Sequence, residues 1–139
     1  MPVFLVKADS KAVEEQPAWL VDLNKIYTEV LDASAPAFVA KALTQPNSWF
    51  AGGLFNDHLL GAVLVTEEAN CWKLTDLRVR KVTQRRGVAT RLLNLLALEA
   101  SKTNRSLRIM DLEANAPAQA LVAKLGYTEK STAEGWVLG

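Results

Sequence analysis

The run from Asp76 to Ala100 limits the fold more than any other part of the chain. Asp76-Leu-Arg-Val-Arg-Lys-Val-Thr-Gln-Arg-Arg-Gly-Val-Ala-Thr-Arg91 reads as a strand end, a basic turn with one glycine, and a helix start. In the helix that follows, Ala89, Leu92, Leu93, Leu96, Ala97 and Ala100 recur at the i, i+3, i+4, i+7 spacing of a buried face. An apolar strand, Leu107 to Leu112, comes next. A strand–helix–strand unit of this kind calls for parallel flanking strands and a right-handed crossover, and so for a sheet carrying helices.

The turn also carries chemistry. No acidic residue falls between Leu77 and Leu98, while six basic residues lie between Arg78 and Arg91. The first N–H groups of a helix have no partner within it, and the dipole is positive at that end. Gly87 lets the backbone approach a ligand closely because no Cβ intervenes. The turn therefore reads as a holder for an anionic group, the pyrophosphate of a nucleotide-like cofactor. With a net charge of +1 over 139 residues, anion binding must come from this local cluster. No aromatic residue interleaves with the basic ones for base stacking, which argues against nucleic acid.

The remaining elements follow from periodicity and punctuation. Val3 to Val6 reads as a strand. Ala12 to Leu31 reads as one helix, with Trp19, Leu20, Leu23, Ile26, Tyr27 and Val30 on its apolar stripe and Pro17 in its first turn. Ser34 caps a second helix that runs to about Thr44. Trp49–Phe55, Leu59–Thr66 and Cys71–Val79 form a meander, its first hairpin turning at Asn56-Asp57-His58. Asn115-Ala-Pro117 opens the last helix, which stops at Gly126. Tyr127–Glu129 and Trp136–Leu138 close the chain as a hairpin. The order is β-α-α-β-β-β-α-β-α-β-β, an α/β (α+β) mixed sheet with helices on both faces, in one domain over 1–139. One cysteine, Cys71, excludes an internal disulfide and offers no metal motif. No apolar run approaches a membrane span and the start lacks the features of a signal peptide, so the expected setting is cytoplasmic.

Gln84-Arg85-Arg86-Gly87-Val88-Ala89 resembles the acyl-CoA signature Gln/Arg-x-x-Gly-x-Gly/Ala of the GNAT N-acetyltransferase superfamily. Asn115-x-x-Ala118-x-x-Leu121-x-x-Lys124-Leu125-Gly126-Tyr127 resembles the second half of the family pattern. Leu74 to Val88 is similar to the same stretch of the PanZ (PanM) family, as are Asp22-Leu-x-Lys-Ile-Tyr27, Phe55-Asn-x-x-Leu-Leu60, Ala62-Val-x-Val-Thr66 and Gly135-Trp136. The resemblance implies a GNAT acyl-CoA N-acyltransferase fold that binds acetyl-CoA or CoA. Leu77, Arg78, Val79, Thr83, Gln84, Arg85, Arg86, Gly87, Val88, Ala89, Thr90 and Asn115 are its expected contacts. A PanZ-like protein binds the aspartate decarboxylase proenzyme, promotes its self-cleavage and restrains pantothenate synthesis. Leu54 stands where the resemblance implies a basic residue on the partner-facing strand.

Whether the chain is an enzyme is left open by these residues. Acetyl transfer needs a base for the amine and an acid for the leaving thiolate. The family's tyrosine acid corresponds here to Val122, which cannot donate a proton. Tyr127 is the substitute acid candidate, and Asp76 and Glu113 are base candidates. Each has a plainer reading: Tyr127 as core and Asp76 as a salt-bridge partner of Arg78 and Arg80. Asn115 is equally a helix N-cap or a pantetheine contact, Val79 a core side chain whose backbone meets ligand. His58 belongs to an exposed turn. Two functions follow, a PanZ-like regulator or an active N-acetyltransferase for a small amine or a protein amine.

Overall fold

The computed structural model describes residues 3–81, 87–112, 115–131 and 133–138. Seven strands form one mixed sheet in the order β1-β2-β3-β4-β5-β7-β6. They are β1 (Phe4–Ala8), β2 (Ser48–Phe55), β3 (His58–Glu67), β4 (Cys71–Val79), β5 (Ser106–Ile109), β6 (Tyr127–Ser131) and β7 (Gly135–Leu138). The helices are α1 (Ser10–Glu15), α2 (Pro17–Leu31), α3 (Ala35–Thr44), α4 (Val88–Lys102) and α5 (Ala116–Lys124), with a 3-10 turn at Asp32–Ser34.

The first helix of the sequence reading is two helices. Pro17 lacks an N–H and drives the preceding residue out of helical geometry, and Gln16 sits at φ −126°, ψ 76°. Asp9 caps α1 by accepting the Ala12 N–H at 2.9 Å. Ser34 is not the side-chain cap expected of it, since its hydroxyl donates to the Leu31 carbonyl at 2.7 Å. Val30, placed on the apolar stripe, is 49% exposed, whereas Leu23, Ile26 and Tyr27 are buried together with Asp22. The Asp22 carboxylate is accounted for: Oδ2 accepts the Leu59 N–H at 3.0 Å, and His58 Nδ1 lies 3.5 Å from Oδ1.

The sheet separates two cores. On one face Trp49, Ala51, Val63, Val65, Trp72 and Leu74 pack against Leu92, Leu93 and Leu96 of α4 and Val122 of α5. On the other, Phe50, Leu59 and Ala62 pack against Leu23, Ile26 and Tyr27 of α2 and Ala35, Val39 and Ala42 of α3. Each fully buried aliphatic side chain contributes roughly 1.5–3 kcal/mol. The β2–β3 hairpin turns through Asn56 and Asp57, both left-handed at φ 49° and 66°, the geometry whose twist suits a two-residue hairpin.

The parallel expectation holds for β4 and β5, joined through α4 and paired from Cys71↔Ser106 to Leu74↔Ile109. It fails for β1 and β2, which are antiparallel neighbours although helices connect them. β5 and β6 run the same way but do not touch, because β7 pairs antiparallel with both.

Candidate cofactor cleft

The site begins where β4 loses its second neighbour. The last bond between β4 and the β5 segment is the Met110 N–H to the Leu74 carbonyl, at 2.8 Å. From Thr75 to Val79 the strand pairs, among the described residues, with β3 alone, through Leu64↔Thr75, Ala62↔Arg78 and Gly61↔Val79. Burial changes at the same point: Trp72 and Leu74 are buried, whereas every residue from Thr75 to Val79 is half-buried. The two parallel strands thus splay, and one edge of Thr75–Val79 has no strand partner among the described residues.

A β-bulge reshapes the same segment. Asp76 and Leu77 stand opposite Val63 alone, and Asp76 is left-handed at φ 57°. Bulges bend a strand and re-aim its groups, and aspartate tolerates this conformation better than most residues. The Asp76 carbonyl accepts the Tyr27 hydroxyl at 2.7 Å, and the Leu77 carbonyl accepts Arg78 Nη1 at 2.8 Å. Asp111, just past β5, is also left-handed at φ 59°.

The start of α4 borders the end of β4. Gly53 and Gly61 leave a gap that Val88 fills: a Cβ on Gly61 would lie 3.1 Å from Val79 Cγ2 and 3.2 Å from Val88 Cγ1. Val79 and Val88 are thereby held side by side. Gly87 precedes the helix at φ 79°, is exposed, and has nothing within 4 Å of the position a Cβ would take. The first helical bond runs from the Arg91 N–H to the Gly87 carbonyl at 2.9 Å. The N–H groups of Val88, Ala89 and Thr90 therefore have no partner within the helix, and Gly87 has no side chain to cap them. Thr83, Gln84, Arg85 and Arg86 lie outside the described residues, as does Glu113.

The other expected residues separate. Asn115 starts α5 beyond β5, its N–H on the Leu112 carbonyl at 3.0 Å and its Oδ1 accepting the Ala118 N–H at 3.2 Å. The N-cap reading of that side chain is the one observed. The Asp76 carboxylate makes no ion pair among the described residues, and Arg80 pairs with Glu29 at 3.4 Å. Tyr127 is buried at the closed end of the β4–β5 pair, in a cavity shared with Ala97, Ser106 and Leu107. Ala97 lies ten residues along α4 from Gly87, about 15 Å at 1.5 Å per residue. Burial raises the Tyr127 phenol above its ordinary pKa. Val122 is fully buried in the α4 core.

Two residues were missed. Tyr27 and Glu29 of α2 both reach β4 or its exit, Glu29 Oε1 accepting the Lys81 N–H at 2.9 Å. Tyr27 stood out as an apolar-stripe residue and as the end of the PanZ-like run from Asp22, neither of which shows what its hydroxyl meets, and no local pattern marks Glu29. Among the described residues no cluster of side chains could hold a metal ion.

A seven-stranded mixed sheet that splays beside a left-handed glycine and a helix start defines a GNAT-type acyltransferase fold. Solved structures share it over nearly the whole chain. A ribosomal-protein-alanine N-acetyltransferase from Brucella melitensis is 14% identical, with TM-score 0.74 and 94% of each chain covered. An aminoglycoside 6'-acetyltransferase type Ii is 19% identical, with TM-score 0.73, covering 96% of this chain and 90% of its own. The E. coli protein YhhK, solved bound to coenzyme A, is 26% identical, with TM-score 0.71, covering 99% and 98%. No curated protein sequence matches the chain significantly. The PanZ acetyltransferase (GNAT) domain family matches residues 11–133, and the chain belongs to that family. No described helix is long and apolar enough to cross a membrane.

Proposed function

We propose that this protein binds acetyl-CoA in the β4–β5 splay, as a single domain over residues 1–139, and regulates the aspartate decarboxylase proenzyme in a PanZ-like manner. The observation that carries the cofactor reading is the conjunction of two features at one end of the sheet. One is a strand edge at Thr75–Val79 that is open among the described residues, and the other is a helix start behind left-handed Gly87, which offers no side-chain cap. The residues fit the group. The backbone of Leu77, Arg78 and Val79 would pair with the pantetheine arm. Thr83, Gln84, Arg85 and Arg86, with the N–H groups of Gly87, Val88, Ala89 and Thr90, would hold the pyrophosphate. Asn115, which caps the start of α5 beyond β5, would border the arm. Bound there, acetyl-CoA presents a thioester as acyl donor. The CoA-bound solution structure of YhhK supports the same ligand.

Family membership supports the regulatory reading, as does the position of Val122. A fully buried valine at the family's acid position supplies no proton to a leaving thiolate, and Tyr127 lies at the other end of α4. Leu54 is partly buried against the α2–α3 core, so a partner meets an apolar residue at that strand position. The setting is the cytoplasm.

Calorimetric titration with acetyl-CoA tests the ligand, with saturable binding expected. A gel time course of proenzyme cleavage then tests the regulation. Cleavage should accelerate when this protein and acetyl-CoA are both present. Unchanged cleavage with no detectable complex overturns the regulatory reading. Thiol release with an amine acceptor above the acceptor-free background would establish the N-acetyltransferase function in its place.

A further inference from the structure

Helix α2 grips β4 and its exit at two points, on either side of Leu77–Val79. At the first, the Tyr27 hydroxyl donates to the carbonyl of bulged Asp76 at 2.7 Å. At the second, Glu29 accepts the Lys81 N–H at 2.9 Å and approaches Arg80 Nε at 3.4 Å. Leu77, Arg78 and Val79 lie between the two grips.

The Tyr27 ring does not need its hydroxyl to pack. It is 1% exposed, with its centroid 5.1 Å from Phe38 and 5.4 Å from Phe50. These neighbours fix the ring, and the ring fixes where the O–H points. Its target is a residue in left-handed backbone, a conformation that costs roughly 1–2 kcal/mol for an L-residue and persists only when its surroundings impose it. Burial pushes the Tyr27 phenol well above its ordinary pKa, with the Asp76 charge adding to the effect, so the donor proton is retained.

Resting on the acetyl-CoA reading above, we infer that Tyr27 and Glu29 are positioning residues for the cofactor: they hold the bulge and the exit of β4 in the shape that receives it. Neither touches the ligand. Each acts through backbone groups of β4, so α2 and the ligand edge form one mechanical unit.

The test compares Tyr27→Phe and Glu29→Ala with Ser10→Ala. The last removes a hydrogen bond of similar length, Ser10 Oγ to the Leu43 carbonyl at 2.7 Å, within the same helical layer and away from β4. Acetyl-CoA affinity is read by calorimetry, and hydrogen exchange of the Leu77–Lys81 amides is read without ligand. Tyr27→Phe should weaken affinity about five- to tenfold, the scale of one hydrogen bond, and should speed exchange at Leu77 and Arg78. Glu29→Ala should speed exchange at Lys81. Ser10→Ala should change neither reading. Wild-type affinity in Tyr27→Phe, or an equal loss in Ser10→Ala, overturns the inference. If the wild-type protein does not bind acetyl-CoA, the cofactor reading fails by itself. Unchanged exchange at Leu77 and Arg78 in Tyr27→Phe would then still overturn the positioning role.

Discussion

Replacing Gly87 in parallel with asparagine and with aspartate separates charge from backbone at the proposed pyrophosphate turn. Gly87 has φ 79°, and a Cβ there meets no described atom within 4 Å. Asparagine and aspartate are the non-glycine residues that best tolerate left-handed backbone, and the two are nearly isosteric. Both variants carry a similar conformational cost, at most about 1–2 kcal/mol. They differ by one negative charge at an exposed position. A diphosphate with about two charges, roughly 6 Å away in water, repels that carboxylate by ~1.4 kcal/mol, or about tenfold in affinity. At 0.01 M salt the screening length of about 30 Å leaves this intact, and at 1 M the length of about 3 Å removes most of it. Calorimetry with acetyl-CoA should therefore show Gly87→Asp binding about tenfold more weakly than Gly87→Asn at low salt, with the two converging at high salt. Equal affinities at low salt, or a difference that salt does not change, would refute a pyrophosphate at this turn.

Three further outcomes follow from the packing. Gly135→Ala puts a Cβ 2.5 Å from Met110 Sδ and 2.6 Å from the Ile109 carbonyl oxygen, at φ 74°. It should lower stability by about 2–4 kcal/mol in urea unfolding, and near-wild-type stability would contradict the β5–β7 contact. Val122→Tyr forces a phenol into a fully buried site and should cost roughly 1–3 kcal/mol without generating thiol release from acetyl-CoA. Tyr27 binds its proton more tightly folded than unfolded. Its contribution to stability is therefore full below about pH 10 and is lost as pH rises from the unfolded value toward the raised folded one. Tyr27→Phe should flatten the fall in urea midpoint above about pH 10, and an unchanged slope would refute the assignment.

The strand-to-helix turn and the helix ends were legible because their signals are local. Gly87 sits in a run whose composition and helical periodicity both mark a strand-to-helix turn. Asn115 and Gly126 mark where α5 starts and stops, as short-range capping dictates. The break at Pro17 was equally local, and following the apolar stripe of residues 19–30 through it obscured it. Val30 shows the limit of periodicity, since a residue at the right spacing stays exposed when no element covers it.

The sequence by itself determined the order of strands and, but for the break at Pro17, of helices, together with the meander, the basic turn and the family. Each depends on residue type and spacing within a few positions, or on a resemblance spread along the chain. Tertiary structure alone decided which strand edges stay open. The insertion of β7 between β5 and β6, the two-for-one register at Asp76 and the splay after Leu74 are pairings between distant segments. Tyr27 reaches Asp76 across 49 residues and Glu29 reaches Lys81 across 52. A local pattern specifies that a helix forms and which face is apolar. Which backbone carbonyl a buried hydroxyl on that face meets is settled only when sheet and helix pack together.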